Sequence, residues 1–361
     1  MLLVRFRYGA YLSREQVTEL VRPHSETLKL VRAWLVHHGI RSSSVSTTDG
    51  GAWLKVTDVL VSQASRLLGA SYQLYRNTKT NETIISTVGY AVPAVLHAHI
   101  QFVAPTTDFS STQVMQQTPS WPSFEAAPVQ AQAESGKLVT ARSLRSDIRP
   151  SFLRWLYDSF GYVPAAADRN RLVVVGDQYP SQEDLTRFSI DVDAFSVGAT
   201  FSTVQLSGSG YDRTNPGQEV NINLQYAGAM ASTTTPLFFY GTVGNLGLVR
   251  LLNYLNSQPK PPQTISITYN RETEDATSRD YSTSMCDAFA RLGVRGASVL
   301  IASGNSGVGA GTCEDASGNV RFIAEFPASC TCVVSSPLPS TTQAQAQVTH
   351  WAAWFGRSLC H

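Results

Sequence analysis

Past Ile148 the chain settles into a rhythm that few folds can satisfy. Leu172-Val-Val-Val-Gly176, Leu237-Phe-Phe-Tyr240, Ile265-Ser-Ile-Thr-Tyr269 and Val299-Leu-Ile301 are short apolar runs, and helical stretches at 218–230, 245–257 and 280–292 separate them. A strand that is apolar on every residue must be covered on both faces, and strands joined through helices run parallel. The pattern predicts an α/β, doubly wound, mostly parallel sheet. Ser181 predicts a helix cap, with Glu183 and Asp184 in the first turn, where the helix dipole favours negative charge.

The first hundred residues read differently. Ser13-Arg-Glu-Gln16 is a capping box that opens a helix carrying Val17, Leu20 and Val21. Ser25 is read as the cap of a second helix with Leu28, Val31, Trp34 and Leu35 on one face and Gly39 as its stop. Asp49-Gly-Gly51 is a turn before a strand from Trp53 to Val56. A helix then runs to Leu68, and strands at Tyr72–Tyr75 and Glu82–Ser86 frame a polar turn. The expectation is a small α+β domain, residues 1–104, with an antiparallel sheet. Residues 105–145, rich in Pro, Ser, Gln and Ala without periodicity, read as an exposed linker before a second domain at 146–361.

Bulk properties remove several function classes. With 28 basic against 27 acidic residues the net charge is +1 and no basic stripe stands out, so nucleic acid is not an expected partner. No segment approaches the roughly 20 apolar residues of a membrane span, and the N-terminus lacks the apolar run and cleavage site of a signal peptide. All five cysteines, Cys286, Cys313, Cys330, Cys332 and Cys360, lie at the C-terminal end, and their pairing is open. Cys330 and Cys332 are too close for ordinary zinc-ligand spacing. His37 and His38 read as a helix C-terminal pair complementing the dipole. For His97 and His99 a surface or packing role outweighs a pH-sensing one.

Two segments could carry chemistry. After the Val299 strand, Gly304-Asn-Ser-Gly-Val-Gly309 is a glycine-rich turn at the carboxyl end of a buried strand, with Asn305 and Ser306 at its mouth. Upstream, Pro216-Gly217 opens a helix on which Glu219 and Asn223 share a face at i, i+4. Read alone, the first is a structural turn and the second a solvated helix face.

Together with blocks along the whole chain, these segments resemble the precursors of the sedolisin (serine-carboxyl) peptidases of tripeptidyl-peptidase type. Tyr8-Gly-Ala-Tyr-Leu-Ser13, Val21-Arg-Pro-His-Ser and Val103-Ala-Pro resemble that family's pro-domain. Ile148-Arg-Pro-Ser-Phe-Leu-Arg-Trp-Leu-Tyr157 resembles the start of the mature enzyme, and Gln178-Tyr-Pro-Ser-Gln-Glu-Asp-Leu185 follows in register. Pro216-Gly-Gln-Glu219 through Gln225-Tyr226 resembles the catalytic helix. Cys286 through Gly304 resembles the stretch leading to the oxyanion turn, and Phe326-Pro-Ala-Ser-Cys330 the block after it.

The resemblance implies a subtilisin-like fold behind a pro-domain and acyl transfer to a serine at acidic pH. It also implies release of tripeptides from substrates with a free N-terminus, secretion and a calcium site. Glu219 takes the place of the general base, Asn223 that of a supporting aspartate and Asn305 that of an oxyanion aspartate. Asn305 retains an N–H donor at every pH. Asn223 can orient Glu219 but cannot share a titrating proton, and loss of such support costs about 10⁴-fold in a related triad. The family's Ser-Gly-Thr-Ser nucleophile motif is not in this sequence, and neither are the calcium-binding aspartates that follow it. From Thr331 to His361 the tail diverges. Ser282-Thr-Ser-Met285 lacks the needed glycine and falls in a helical stretch, so it is no substitute. The expectation is a chain shortened at both ends and inactive by itself. The other reading is a non-catalytic remnant acting as a decoy or a pro-domain-type inhibitor.

Overall fold

The structure, a computed structural model, describes residues 9–76, 78, 81, 83–107, 109, 149–159, 161–162, 170–206, 216–231, 236–242, 244–268, 272–274, 277–303, 318–320 and 322–336. The segment read as a linker lies almost wholly outside these residues, as do the 304–309 turn and the tail beyond 336.

The N-terminal unit is built from short amphipathic pieces. Helix α1 (Arg14–Leu20) has the expected capping box, with Ser13 and Gln16 bonding reciprocally at 3.2 and 2.8 Å. Helix α2 (Ser25–His37) starts where expected, but its cap is His24 rather than Ser25: the His24 Nδ1 accepts from the Glu26 amide at 3.3 Å. An imidazole can do what a hydroxyl was expected to do because any acceptor within reach satisfies an orphan N–H. His38 closes the far end, bonding through Nδ1 to the Trp34 carbonyl at 2.9 Å, and Gly39 follows at φ 79°. The antiparallel sheet divides into two ladders. Strand β1 (Val45–Thr48), which the sequence reading did not foresee, pairs with β2 (Trp53–Val56). Beyond helix α3 (Val61–Leu68), β3 (Gln73–Arg76) pairs with β4 (Thr83–Ser86). Val31, Leu35, Ile40 and Leu96 form the buried centre of this unit.

The second unit holds a six-stranded, all-parallel sheet. Helix α4 (Pro150–Leu156) precedes β5 (Leu172–Gly176) and α5 (Gln182–Asp191). Then come β6 (Phe201–Gln205), α6 (Gln218–Ala231), β7 (Leu237–Gly241), α7 (Gly244–Ser257) and β8 (Thr264–Ile267). A two-residue strand β9 (Glu272–Thr273) leads to α8 (Arg279–Val294) and β10 (Ser298–Ala302). The short β11 (Glu325–Phe326), antiparallel to β9, is followed by β12 (Val334–Ser336). Spatial order across the sheet is β12-β10-β8-β5-β7-β6, every pair parallel.

Strand β5 lies inside the sheet and shows why continuous apolar runs were required. Val173 and Val175 pack with α7 and α8, through Leu251, Leu252, Leu255, Phe289 and Leu292. Val174, between them, points to the opposite face and packs with Val220 and Leu224 of α6. Helix α8 is further tied to the segment after β11 by a Cys286–Cys330 disulfide, which settles one pairing left open above. Cys332 is a free, half-buried thiol that donates to the Cys286 carbonyl at 3.2 Å.

The N-terminal unit docks along α8. An aromatic chain runs from Trp53 to Phe102 to Tyr281 to Phe326, with ring centroids 5.3, 5.6 and 5.7 Å apart. The Ser284 hydroxyl donates to Gln101 at 2.6 Å. At the other end of the helix, the Leu12 amide donates to Val294 at 2.9 Å and Arg14 donates to the Ser257 carbonyl at 2.9 Å. Gly296, at φ +87°, lies so close to the Tyr11 ring that a Cβ there would overlap it.

Candidate active site

In an open parallel sheet the crevice for ligands opens at the carboxyl ends of neighbouring strands whose connections leave in opposite directions. Here that pair is β5, which leads toward β6, and β8, which leads toward β10. Asp177 follows directly on β5. Thr268 follows on β8 and donates its hydroxyl to the Val175 carbonyl at 3.2 Å, closing the two strand ends together.

Two glycines bring a carboxylate to that place. A Cβ on Gly176 would lie 2.9 Å from Val220 and 3.0 Å from Phe239, so only glycine lets α6 descend onto the end of β5. A Cβ on Gly217 would overlap the Gln178 side chain, down to its Cβ at 2.5 Å. The Gly217 amide donates to the Tyr179 carbonyl at 3.0 Å, fixing the entry of α6 beside the turn that carries Asp177. Glu219 then stands in the first turn of α6.

That position sets two effects against each other. A helix N-terminus favours an anion, yet the Glu219 carboxyl is held above the ordinary glutamate range. Desolvation by the surrounding protein is the larger cause and the negative charge of Asp177 the second. The residue as a whole remains accessible to solvent, so crowding around the carboxyl, rather than deep burial, accounts for the shift. A carboxyl that keeps its proton more readily beside a second acid is the electrostatic condition for proton sharing between the two.

Asn223 is half-buried one turn along α6, and its Nδ2 is buried with no hydrogen-bond partner among the described residues. The bond from this amide that would orient Glu219 is therefore not formed. The Thr242 hydroxyl, just past the carboxyl end of β7, is likewise buried without a partner among the described residues, on a residue whose amide donates to the Gly176 carbonyl at 2.9 Å. Asn305 and Ser306 lie outside the described residues. Ser303, the last described residue before them, follows the β10 strand end. Among the sequence candidates, then, Glu219 and Asn223 share α6 as expected. Ser282 and Ser284 lie within α8, as the sequence reading placed them, and Ser284 is engaged with Gln101.

Asp177 was missed in the sequence reading, although its signal was available: an acid directly after the last residue of a fully apolar strand. Asn221 was missed with less warning. It is buried inside the polar-looking run Asn221-Ile-Asn223, where nothing in the spacing distinguishes it. Among the described residues no group of three or more His, Cys, Asp or Glu side chains could hold a metal ion. Among them too, no helix is long and apolar enough to cross a membrane.

Comparison with known proteins bears on this arrangement. Residues 5–109 match the family described as Pro-kumamolisin, activation domain. Tripeptidyl-peptidase SED2 of Arthroderma otae is 30% identical over 359 residues, covering 92% of this chain and 58% of that protein. Probable tripeptidyl-peptidase SED3 of Trichophyton verrucosum is 30% identical over 354 residues, covering 91% and 57%. The chain thus spans less than two thirds of the length of these relatives. A solved Pseudomonas sedolisin (serine-carboxyl proteinase), complexed with two molecules of pseudo-iodotyrostatin, aligns over 52% of this chain and 53% of its own. The TM-score is 0.42 and the sequence identity 21%. The activation-domain match and the similarity to tripeptidyl peptidases along nearly the whole chain support the resemblance to the sedolisin family.

Proposed function

We propose that these 361 residues carry the acid–base half of a serine-carboxyl peptidase site behind an activation domain, and that by themselves they do not turn over peptide. Glu219 is the general base. Desolvation, and after it the negative charge of Asp177, keeps it protonated to a higher pH than an isolated glutamate, which suits work in acid. Asn223 and Asn305 stand at the supporting and oxyanion positions as amides. The first carries no charge and its buried Nδ2 makes no bond to Glu219, whereas the second can donate to an oxyanion at any pH. The sequence holds no Ser-Gly-Thr-Ser nucleophile. A base without a hydroxyl to deprotonate cannot start acyl transfer.

Residues 1–104 act in this reading as the activation domain and 105–145 as the connection cut on release. Residues 146–361 are the peptidase part, whose substrate is a peptide or protein with a free N-terminus, met outside the cell. What supports the proposal is the placement of Glu219 in the first turn of α6, whose entry at Gly217 is bonded to Tyr179 in the turn that carries Asp177. The missing nucleophile motif favours a second reading alongside it, a non-catalytic binder or pro-domain-type inhibitor of active relatives.

Both are tested by assaying the purified chain at about pH 4, where such carboxyl pairs share a proton, on a tripeptidyl substrate with a free N-terminus and with a reagent that labels active-site serines. No turnover and no labelling are expected. Turnover abolished by Glu219→Ala contradicts the inactivity while upholding the assignment of the base. Inhibition of an active tripeptidyl peptidase by the intact chain selects the second reading.

A further inference from the structure

The first turn of α6 is stitched to the N-terminus of α5 by one buried amide. Asn221 is 9% exposed, and both ends of its side chain are engaged. Its Oδ1 accepts from the Ser181 amide at 2.8 Å, and its Nδ2 donates to Asp184 Oδ2 at 2.7 Å. Ser181 is itself the cap of α5, accepting from the Asp184 amide at 3.1 Å. One turn further along α6, Gln225 donates to the Asp184 carbonyl at 3.3 Å. The segment so gripped, Ser181 to Asp184, begins four residues after Asp177, and Asn221 stands two residues after Glu219.

From this geometry we infer that Asn221 is a positioning residue, holding the first turn of α6 against the β5 turn and thereby fixing the separation of Glu219 and Asp177. The inference rests on the reading of those two acids as a working pair. It is physically economical. A buried amide that satisfies one backbone donor and one carboxylate in fixed directions allows one docking of the two helices, because any slide leaves a desolvated group unpaired. Apolar packing alone, here Val220 and Leu224 on Val174, tolerates small shifts and specifies less. The same interactions explain why an asparagine sits on the inner side of a helix whose neighbouring buried positions are aliphatic.

The test follows the Glu219 carboxyl by carbon NMR in the full chain with labelled glutamate, the signal assigned by its loss in Glu219→Gln. In the unaltered chain Glu219 titrates above the ordinary glutamate range. In Asn221→Ala it moves down toward that range, because the loosened turn lets the carboxyl draw away from Asp177 and into water. Asp184→Ala, which breaks only the Nδ2 arm, gives a smaller shift in the same direction and serves if the first variant does not fold. Ser189→Ala removes buried hydrogen bonds of α5 to Leu185 and Ser196 without touching the stitch. It destabilises the same helix but leaves the Glu219 titration unchanged.

A raised Glu219 value that neither Asn221→Ala nor Asp184→Ala alters overturns the role of Asn221 and leaves the pairing standing. So does an equal shift in Ser189→Ala, which would make the effect one of general loosening. An ordinary value in the unaltered chain overturns the pairing itself, and the inference with it.

Discussion

The two faces of the parallel sheet are made of different material. On one, α7 and α8 bury Leu251, Leu252, Leu255, Met285, Phe289 and Leu292 almost completely against Val173, Val175, Ile265 and Ile267, and a disulfide anchors the assembly. On the other, α6 offers the smaller set Val220, Leu224 and the partly buried Ala227 to Val174, Leu237 and Phe239. Directed polar contacts make up the difference: Asn221 to Ser181 and Asp184, and Arg154 to Asp193 and the Ala229 carbonyl. The apolar face is where free energy is concentrated, since dispersion and burial grow with area. The polar face is where position is specified, and it carries the candidate base. The N-terminal unit docks on the apolar side, along α8, so that the surface it covers is the stable one.

The sharpest way to break this division is to remove mass from the apolar face. Phe289→Ala, at a fully buried position, should cost about 4 kcal/mol of unfolding free energy in urea titration, by lost transfer energy and cavity formation. It should leave Glu219 titrating as before in the fraction that is folded. Next in size, Arg154→Met strands Asp193, whose side chain is 2% exposed, and should cost about 3 kcal/mol because an unpaired buried charge is left behind. A loss under about 1 kcal/mol, the size of an exposed ion pair, would show that this contact does not fix the end of α6.

Gly217→Ala sharpens the comparison from the other side. Overpacking against Gln178 should cost about 1–3 kcal/mol, less than Phe289→Ala, yet it should move the Glu219 titration where the larger core defect does not. The smallest effect is expected at the base itself. A carboxyl whose folded pKa lies above its unfolded value binds more protons in the folded state, so its contribution to stability falls as pH rises through that window. Glu219→Gln removes this penalty. The variant should match the unaltered chain below the ordinary glutamate range and be slightly more stable at neutral pH by thermal unfolding. Equal stability at both pH values would mean that Glu219 sits in an unperturbed site.

Much of this division was legible in the order of residues. Four apolar runs predicted four strands of the parallel sheet because a strand covered on both faces has no polar alternative. Strand β6 was missed for the converse reason: Phe201-Ser-Thr-Val-Gln205 is an edge strand, exposed at several positions, and carries no buried run. The capping box at Ser13 was read correctly because its two bonds are local. The Cys286–Cys330 pairing is not local and could not be deduced from spacing. At the site, Glu219 was singled out because its helix pattern and family motif agree, and the structure places it on α6 as that pattern predicts. Asp177 and Asn221 were not, since each owes its importance to a partner some 40 residues away that only folding brings near. Asn305, the remaining candidate, stays an expectation from the resemblance alone.

The claim on which the rest depends is that Glu219 and Asp177 feel each other's charge at the strand ends. Following the Glu219 carboxyl by NMR in the Asp177→Asn variant tests it directly. The titration should move downward but stay above the ordinary glutamate range, because desolvation persists after the like charge has gone. A Glu219 titration identical with and without the Asp177 carboxylate would contradict the account.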